Sequence, residues 1–319
     1  MNILTWHVHG SWMTSFVSGP DQYLLPLLPD RGPDGRGRAR TWHWHSTAVE
    51  LGPDELRETR IDIVVLQRPA EIDLLTQWTG LRAGVDVPAV YVEHNAPPSS
   101  AAGSRHPLAD RSDIPIVHVT GFNKLMWDCG ITPTVVIEHG IIDPGPLYTG
   151  ERERIGVVVN EPVRRWRVAG TDLVARMSER VPLEIYGMGM AALEERVPGL
   201  AGHLHDDVPQ RAMHALLAGN RGYFHPYRWT SLGLSLIEAM TMGMPVLALP
   251  VTAAPESVPA EAGVLSSDTD VLAAAARRWL ADPAEAAERG AAARRHALKH
   301  FGLQRFLTEW QRLMKEVAG

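Results

Sequence analysis

The chain predicts an α/β protein built on two parallel sheets, and three observations carry that expectation. Short apolar runs of strand length alternate with longer stretches at helical spacing, as at 61–66 followed by 71–81. Parallel strands joined by right-handed crossover helices produce that alternation. The alternation restarts after 144–153 (PGPLYTGERE), a Pro- and Gly-containing stretch expected to link two units, and 319 residues suffice for two cores. Polar residues also gather just after the strand-like runs, where open parallel sheets bind ligands.

Composition narrows the class. An apolar content of 45% with 21% charged residues is that of a soluble globular protein. The net charge of −6 argues against general nucleic-acid binding, which needs a basic surface. The single cysteine, Cys129, excludes an internal disulfide and a multi-cysteine metal site, and fits a reducing compartment. The opening MNILTWHVHG lacks the basic start and apolar core of a signal peptide. No segment approaches the roughly 20 apolar residues that span a bilayer. A cytoplasmic protein is expected, with membrane contact limited to the periphery, at the inner face.

In the first half, 3–8 reads as a buried strand running into the loop His9-Gly10-Ser11-Trp12, and 23–28 as a short apolar helix. The stretch 30–40 (DRGPDGRGRAR) is a loop. Its Arg31, Arg36, Arg38 and Arg40 are either a solvated tip or contacts for phosphates of an acceptor or membrane lipid. The alternating 41–46 (TWHWHS) suggests a strand with His43 and His45 on one face, though no third ligand completes a zinc site. Strands are expected at 61–66, 88–92, 114–119 and 135–137, with helices at 71–81 and 121–129. His94 follows a strand and precedes a Pro-rich loop, a place for a ligand contact or for a structural histidine.

The second half repeats the scheme. Strands are expected at 155–159, 183–186, 222–225 and 245–249, and helices at 171–180, 209–218 and 232–242. A basic loop, Arg164-Arg165-Trp166-Arg167, follows the first strand, and Gly187-Met188-Gly189 follows the second, permitting close backbone approach to a ligand. The tail from 268 is helical, with a break at Phe301-Gly302-Leu303 and a last helix over 304–315.

The stretch 225–264 is the richest. Thr230 or Ser231 is expected to cap the helix that follows, and Gly243 with Pro245 to end it. Leu234, Ile237 and Met240 form its apolar face, and Glu238 lies off that stripe. A helix start after a parallel strand offers backbone N–H groups to a phosphate. Thr230, Ser231 and Gly233 are small enough for a diphosphate to approach, and Glu238 is placed to accept two ribose hydroxyls. The alternative is an ordinary α/β helix carrying a solvated Glu.

Taken together, the segments Pro226-Tyr227-Arg228-Trp229-Thr230-Ser231-Leu232-Gly233-Leu234-Ser235-Leu236-Ile237-Glu238-Ala239-Met240 and Gly243-Met244-Pro245-Val246 resemble the retaining GT-B-fold glycosyltransferases of family 4. Ala262-Gly263-Val264 and the closing His300-Phe301-Gly302-Leu303-Gln304-Arg305-Phe306 fit as well. Glu93-His94-Asn95 and Glu138-His139-Gly140-Ile141-Ile142-Asp143 are weaker echoes. The likeness is strongest over 183–310.

The resemblance implies two Rossmann-like domains with parallel sheets facing an interdomain cleft. Residues 1–149 would form the acceptor side and 150–303 the donor side, with 304–319 packing back on the first domain. It implies a metal-independent retaining transfer from a nucleoside-diphosphate sugar, a GDP- or UDP-sugar, to a glycan, lipid or small-molecule acceptor, with no cofactor. Glu238 matches the ribose-binding Glu of the family's Glu-x7-Glu motif, while Thr230 stands where the first Glu is usual. The backbone of Thr230, Ser231, Leu232, Gly233 and Leu234 would hold the diphosphate. Arg164, Arg165 and Arg167 would neutralise it, with Arg165 and Arg167 favoured. His94 would contact the donor sugar, Gly10 would lie beneath it, Gly187 would line the donor site, and Val208 would belong to the base-reading loop. Such enzymes are thought to let the leaving phosphate take the acceptor proton, so no side-chain base is sought. Two alternatives share the fold: a catalytically silent nucleotide-sugar-binding protein and a nucleotide-sugar epimerase. A nicotinamide enzyme is disfavoured because no Gly-x-Gly-x-x-Gly opens the first strand–helix unit.

Overall fold

The computed structural model describes residues 1–98 and 101–319. Thirteen parallel strands are found among them: β1 (Asn2–Thr5), β2 (Gln22–Pro26), β3 (Ala48–Leu51), β4 (Ile63–Leu66), β5 (Ala89–Glu93), β6 (Ile116–His118), β7 (Thr134–Val136), β8 (Arg152–Val158), β9 (Leu183–Gly187), β10 (Leu204–Asp206), β11 (Asn220–His225), β12 (Val246–Ala248) and β13 (Gly263–Leu265). The helices are α1 (Gly10–Phe16), α2 (Pro53–Glu58), α3 (Ala70–Thr79), α4 (Gly121–Met126), α5 (Thr171–Ser178), α6 (Met190–Arg196), α7 (Gln210–Ala218), α8 (Leu234–Met242), α9 (Ala254–Ser257), α10 (Thr269–Ala281), α11 (Pro283–His300) and α12 (Leu303–Ala318). The chain forms two compact units, one of Met1–Gly140 with Leu303–Gly319 and the other of Ile141–Gly302.

The first unit holds a seven-stranded sheet in the order β3-β2-β1-β4-β5-β6-β7. Its strands are nearly wholly apolar, as in Ile63–Leu66, because helices cover both faces of a parallel sheet. The run expected as a helix at 23–28 is strand β2, paired with β1 and β3. Pro26 would break a helix of that length, and the run is as short as a buried strand. The run 41–46 is not a strand. Trp44 alone is buried there, its indole N–H donating to Thr14 Oγ1 at 2.9 Å and its ring lying 4.8 Å from that of His7. His43 and His45 are both exposed. The expected loop at Gly10 is instead the start of α1. Its Trp12 and Phe16 bury against Phe306 and Trp310 of α12, so the last helix completes the first unit's core.

The second unit holds a six-stranded sheet in the order β10-β9-β8-β11-β12-β13. Segment 141–149 packs here: Tyr148 N–H donates to Met242 O and its phenol to Arg221 O. Helix α8 begins at Leu234 with Gly233 as N-cap and no side-chain cap, so neither Thr230 nor Ser231 plays the capping part expected of it. It ends as expected at Gly243, whose φ of 96° is the left-handed geometry of a glycine stop. From Leu236 to Met242 every side chain is buried, Glu238 included, so the solvated Glu of the simpler expectation is not what the fold holds.

Candidate functional site

In each sheet the strand order reverses direction once, and there the loops after two adjacent strands diverge and leave a crevice. In the second unit the reversal lies between β8 and β11. The loop after β8 (159–170) carries the three sequence-predicted arginines, and the loop after β11 (226–233) leads into α8.

These two loops are clamped together. Arg228 N–H donates to Val168 O at 3.0 Å. Its guanidinium grips the Asp172 carboxylate through two bonds of 2.5 and 2.8 Å, and donates to Arg167 O at 2.9 Å. Arg167 adds a third contact to Asp172 at 3.1 Å. Burial alone would raise the Asp172 pKa, but Arg228 and Arg167 outweigh it and hold the carboxyl below its ordinary value. Gly170 lets the loops touch: at φ 73°, a Cβ there would sit 1.9 Å from Pro226 O. Gly187, the last residue of β9, makes a similar approach, a Cβ on it falling 2.0 Å from Val159 O.

The three arginines differ in what holds them. Arg164 is exposed and paired with Glu161. Arg167 is tied to Asp172. Arg165 is half-buried over the ring of buried Tyr227, 5.5 Å from its centroid, and among the described residues it alone of the three has no carboxylate partner. A cation with no fixed counter-ion is the one available to an incoming anion.

Beyond this clamp, Ser231 and Leu232 are buried, while Thr230, Gly233 and Leu234 are half-exposed at the mouth of α8. Gly233 is required by its neighbour, since a Cβ there would lie 2.4 Å from the His225 ring. That ring is stacked on Tyr227 and hydrogen-bonded through Nδ1 to Tyr223, whose phenol donates to Ser235 Oγ at 2.9 Å. His225 therefore carries its proton on Nδ1, and burial lowers its pKa to about 3. Glu238 lies about 6 Å further along the helix axis than Leu234. Its Oε1 accepts from Gln210 Nε2 at 2.8 Å, and Oε2 lies 3.4 Å from His214 Nε2. Both partners stand on α7, and Val208 is half-buried in the loop before it. A carboxylate offers about four lone-pair directions, so these contacts leave acceptor capacity for a ligand.

In the first unit the reversal lies between β1 and β4. Here Gln67 Nε2 donates to Trp6 O at 2.7 Å, which fixes the amide and leaves Oε1 to accept from His94 Nε2 at 3.0 Å. His94 is thereby a neutral imidazole protonated on Nε2. It is buried against His9, 4.2 Å between ring centroids, and against the edge of Trp12. Burial lowers its pKa well below the usual value, and the neighbouring His9 and His139 add to the fall. Gln67 is held in turn by buried Glu71, which accepts from the backbone N–H of Gln67 at 2.6 Å and of Arg68 at 3.1 Å. Gly10, the first residue of α1, lies under the Trp42 ring, which a Cβ would meet at 2.5 Å.

The sequence reading missed Tyr227, the Arg228–Asp172 clamp, Gln210 and His214 beside Glu238, and Gln67 behind His94. Asp172 in a first helical turn was a visible signal, but its partner lies 56 residues away. Nothing marked Gln210. Among the described residues no group of three or more His, Cys, Asp or Glu is placed to hold a metal, and no helix is long and apolar enough to cross a membrane.

Comparison with known proteins bears on the second unit most directly. Residues 164–282 match the family model described as Glycosyl transferases group 1. No curated protein matches the chain. Among solved structures it is similar to sucrose-phosphate synthase from Thermosynechococcus elongatus, at 15% identity and TM-score 0.69, over 99% of this chain and 98% of that one. It is also similar to Anabaena HepE in complex with UDP and glucose, at 14% identity and TM-score 0.71, over 99% and 100% of the two chains. A glycosyltransferase from Rickettsia africae aligns at 14% identity and TM-score 0.67, over 99% and 98%. At such identities the likeness is one of fold, and the fold is GT-B. The matched segment, spanning the clamp, the α8 mouth and Glu238, makes this chain a glycosyltransferase.

Proposed function

We propose that the second unit binds the nucleoside diphosphate of a sugar donor and that the enzyme transfers the sugar to an acceptor with retention of anomeric configuration and without a metal ion. The observation that carries the proposal is the α8 mouth. An uncapped helix start at the sheet's reversal point follows the loop whose Tyr227 ring lies under Arg165, with the buried carboxylate of Glu238 further along the same helix. Helix-start amides and the guanidinium meet the diphosphate, and Glu238 accepts the ribose hydroxyls. Structures of HepE with UDP and with UDP-glucose support a nucleoside-diphosphate donor for this fold.

Cleavage of the donor leaves negative charge on the diphosphate, and fixed N–H dipoles with an arginine stabilise that charge most in the transition state. The sugar passes through an oxocarbenium-like state. His94, neutral and locked by Gln67, serves as a polar contact for the donor sugar and not as an acid. The departing phosphate oxygen takes the acceptor proton, so no side-chain base is assigned.

Incubating the purified chain with UDP- and GDP-sugars and a mixed acceptor panel, in the presence of a chelator, tests this. The expected product keeps the donor's anomeric configuration by proton NMR. An inverted product, or turnover abolished by the chelator, contradicts the retaining, metal-free mechanism. Thr230, standing where such enzymes usually carry a carboxylate, favours a second reading as a silent nucleotide-sugar-binding protein. That reading requires nucleotide affinity with neither transfer nor donor hydrolysis.

A further inference from the structure

The first unit carries a basic crevice that the donor site does not use. Arg31, Arg36, Arg38 and Arg40, with His7 and Asp30, line a cavity of about 450 Å³ beside the loop that follows β1. Two of the arginines are built into the wall. Arg31 donates to Glu50 and to Arg36 O, both at 3.0 Å, and Arg38 donates to Ala48 O at 3.1 Å and to Trp44 O. The backbone N–H of Arg38 also donates to Glu50 at 2.8 Å, so one carboxylate pins both ends of the loop. Arg36 and Arg40 are exposed, and neither has a carboxylate partner among the described residues. Four guanidiniums thus face two carboxylates, those of Asp30 and Glu50, an excess of two positive charges. Asp34 of the same loop is taken by Arg68. His7, two residues before the His9 that packs on His94, donates from Nδ1 to Gly37 O at 3.1 Å and lies tilted against Trp44, ring centroids 4.8 Å apart. The positive field reaches that far, since Arg36 adds to the burial that depresses both His7 and His9.

Resting on the glycosyl-transfer function proposed above, we infer that this crevice selects an acceptor bearing a phosphate group, bound by Arg36 and Arg40 against the braced wall of Arg31 and Arg38. Two unpaired arginines match the charge of a phosphate monoester, and guanidinium forks match its oxygens. A solvated tip would not brace its arginines on its own backbone carbonyls and a shared carboxylate. The phosphate belongs either to a small soluble acceptor or to a lipid headgroup.

Calorimetric titration with inorganic phosphate and with glycerol phosphate, using glycerol as the uncharged control, tests the assignment. Each titration is done with the intact chain saturated with UDP or GDP, so that the diphosphate site is filled. Wild type is expected to bind both phosphates and not glycerol. The Arg36→Ser/Arg40→Ser variant should weaken binding about tenfold or more, with nucleotide affinity and thermal unfolding unchanged, because neither side chain is paired in the fold. Co-sedimentation with vesicles of equal parts phosphatidylcholine and phosphatidylglycerol, lost in the same variant, would assign the phosphate to a lipid. Phosphate binding without co-sedimentation would assign it to a soluble acceptor. Phosphate binding that survives the double substitution, or that vanishes in Arg165→Ser instead, overturns the proposal. If UDP and GDP both fail to bind while the arginine-dependent phosphate binding persists, the donor assignment falls and the crevice stands.

Discussion

Glu238 is buried on a helix whose other buried residues are Leu, Ile, Ala, Met and Thr. A carboxylate in that setting must be hydrogen-bonded to be tolerated. Gln210 bonds it directly and His214 lies beside it, yet both stand on a different element and neither exhausts its acceptor capacity. Removing it should weaken nucleoside-diphosphate binding by about ten- to a hundredfold, the worth of a pair of charge-assisted hydrogen bonds. Glu238→Gln should be intermediate, since an amide keeps one acceptor. A thermal shift with UDP and GDP on both variants checks this, and equal shifts across wild type and variants count against the assignment. At the same scale, His94→Ala should slow transfer while leaving nucleotide affinity within about twofold, because His94 lies in the other unit and offers no charge to the diphosphate. Steady-state kinetics against nucleotide titration separate the two effects. The position of His94 just after a strand was legible. Its tautomer was not, because that depends on Gln67, 27 residues earlier.

Among the elements, the clamp between the loops after β8 and β11 carries the site's geometry. Asp172 is mostly buried, and it accepts from two arginines. Breaking such a pair strands a buried charge, so Asp172→Asn should destabilise the second unit by about 1–3 kcal/mol and weaken donor binding through the loosened loop. Denaturant unfolding and nucleotide titration of the variant test both parts. Gly170→Ala should be worse, since it adds a side chain at positive φ with Pro226 O in the way. Elements were readable where a single signal decided them. The glycine stop of α8 and the strands of wholly apolar residues were of this kind. Helix 23–28 and strand 41–46 went wrong because short apolar runs and aromatic alternation are ambiguous until pairing is known. The start of α8 was misplaced because its N-cap is a glycine chosen for the His225 ring against it, a contact with no trace in local sequence.

For the whole molecule, buried histidines tie stability to pH. Burial lowers the pKa of His118 to about 4, and those of His139 and His225 to about 3. In the unfolded chain each returns to about 6.5 and binds a proton the folded chain refuses. The stabilisation is thus complete above pH 6.5 and is lost as pH falls from there toward about pH 4, at about 1.4 kcal/mol per pH unit for each site. Unfolding free energy measured across that range should decline steeply, and His118→Asn should flatten the decline by one proton's worth. The last helix acts at the same scale. Trp310, fully buried against Trp12 and Phe16, ties the C-terminus to the first unit. Trp310→Ala should cost about 3–5 kcal/mol of that unit's stability. The break at Phe301-Gly302-Leu303 was legible, and the resemblance placed the last helix on the first unit, but its particular partners Trp12 and Phe16 were not legible, because long-range packing leaves only an apolar stripe in sequence.

The central claim is that the mouth of α8, with Arg165 over the Tyr227 ring and Glu238 further along the helix, holds a nucleoside diphosphate. Isothermal titration of UDP and GDP into wild type, Glu238→Ala and Arg165→Ala tests it most directly. Saturable binding of one nucleotide to wild type, at one site per chain and weakened about tenfold or more in each variant, is the result predicted. No binding of either nucleotide, or binding that both variants keep at wild-type strength, would contradict it.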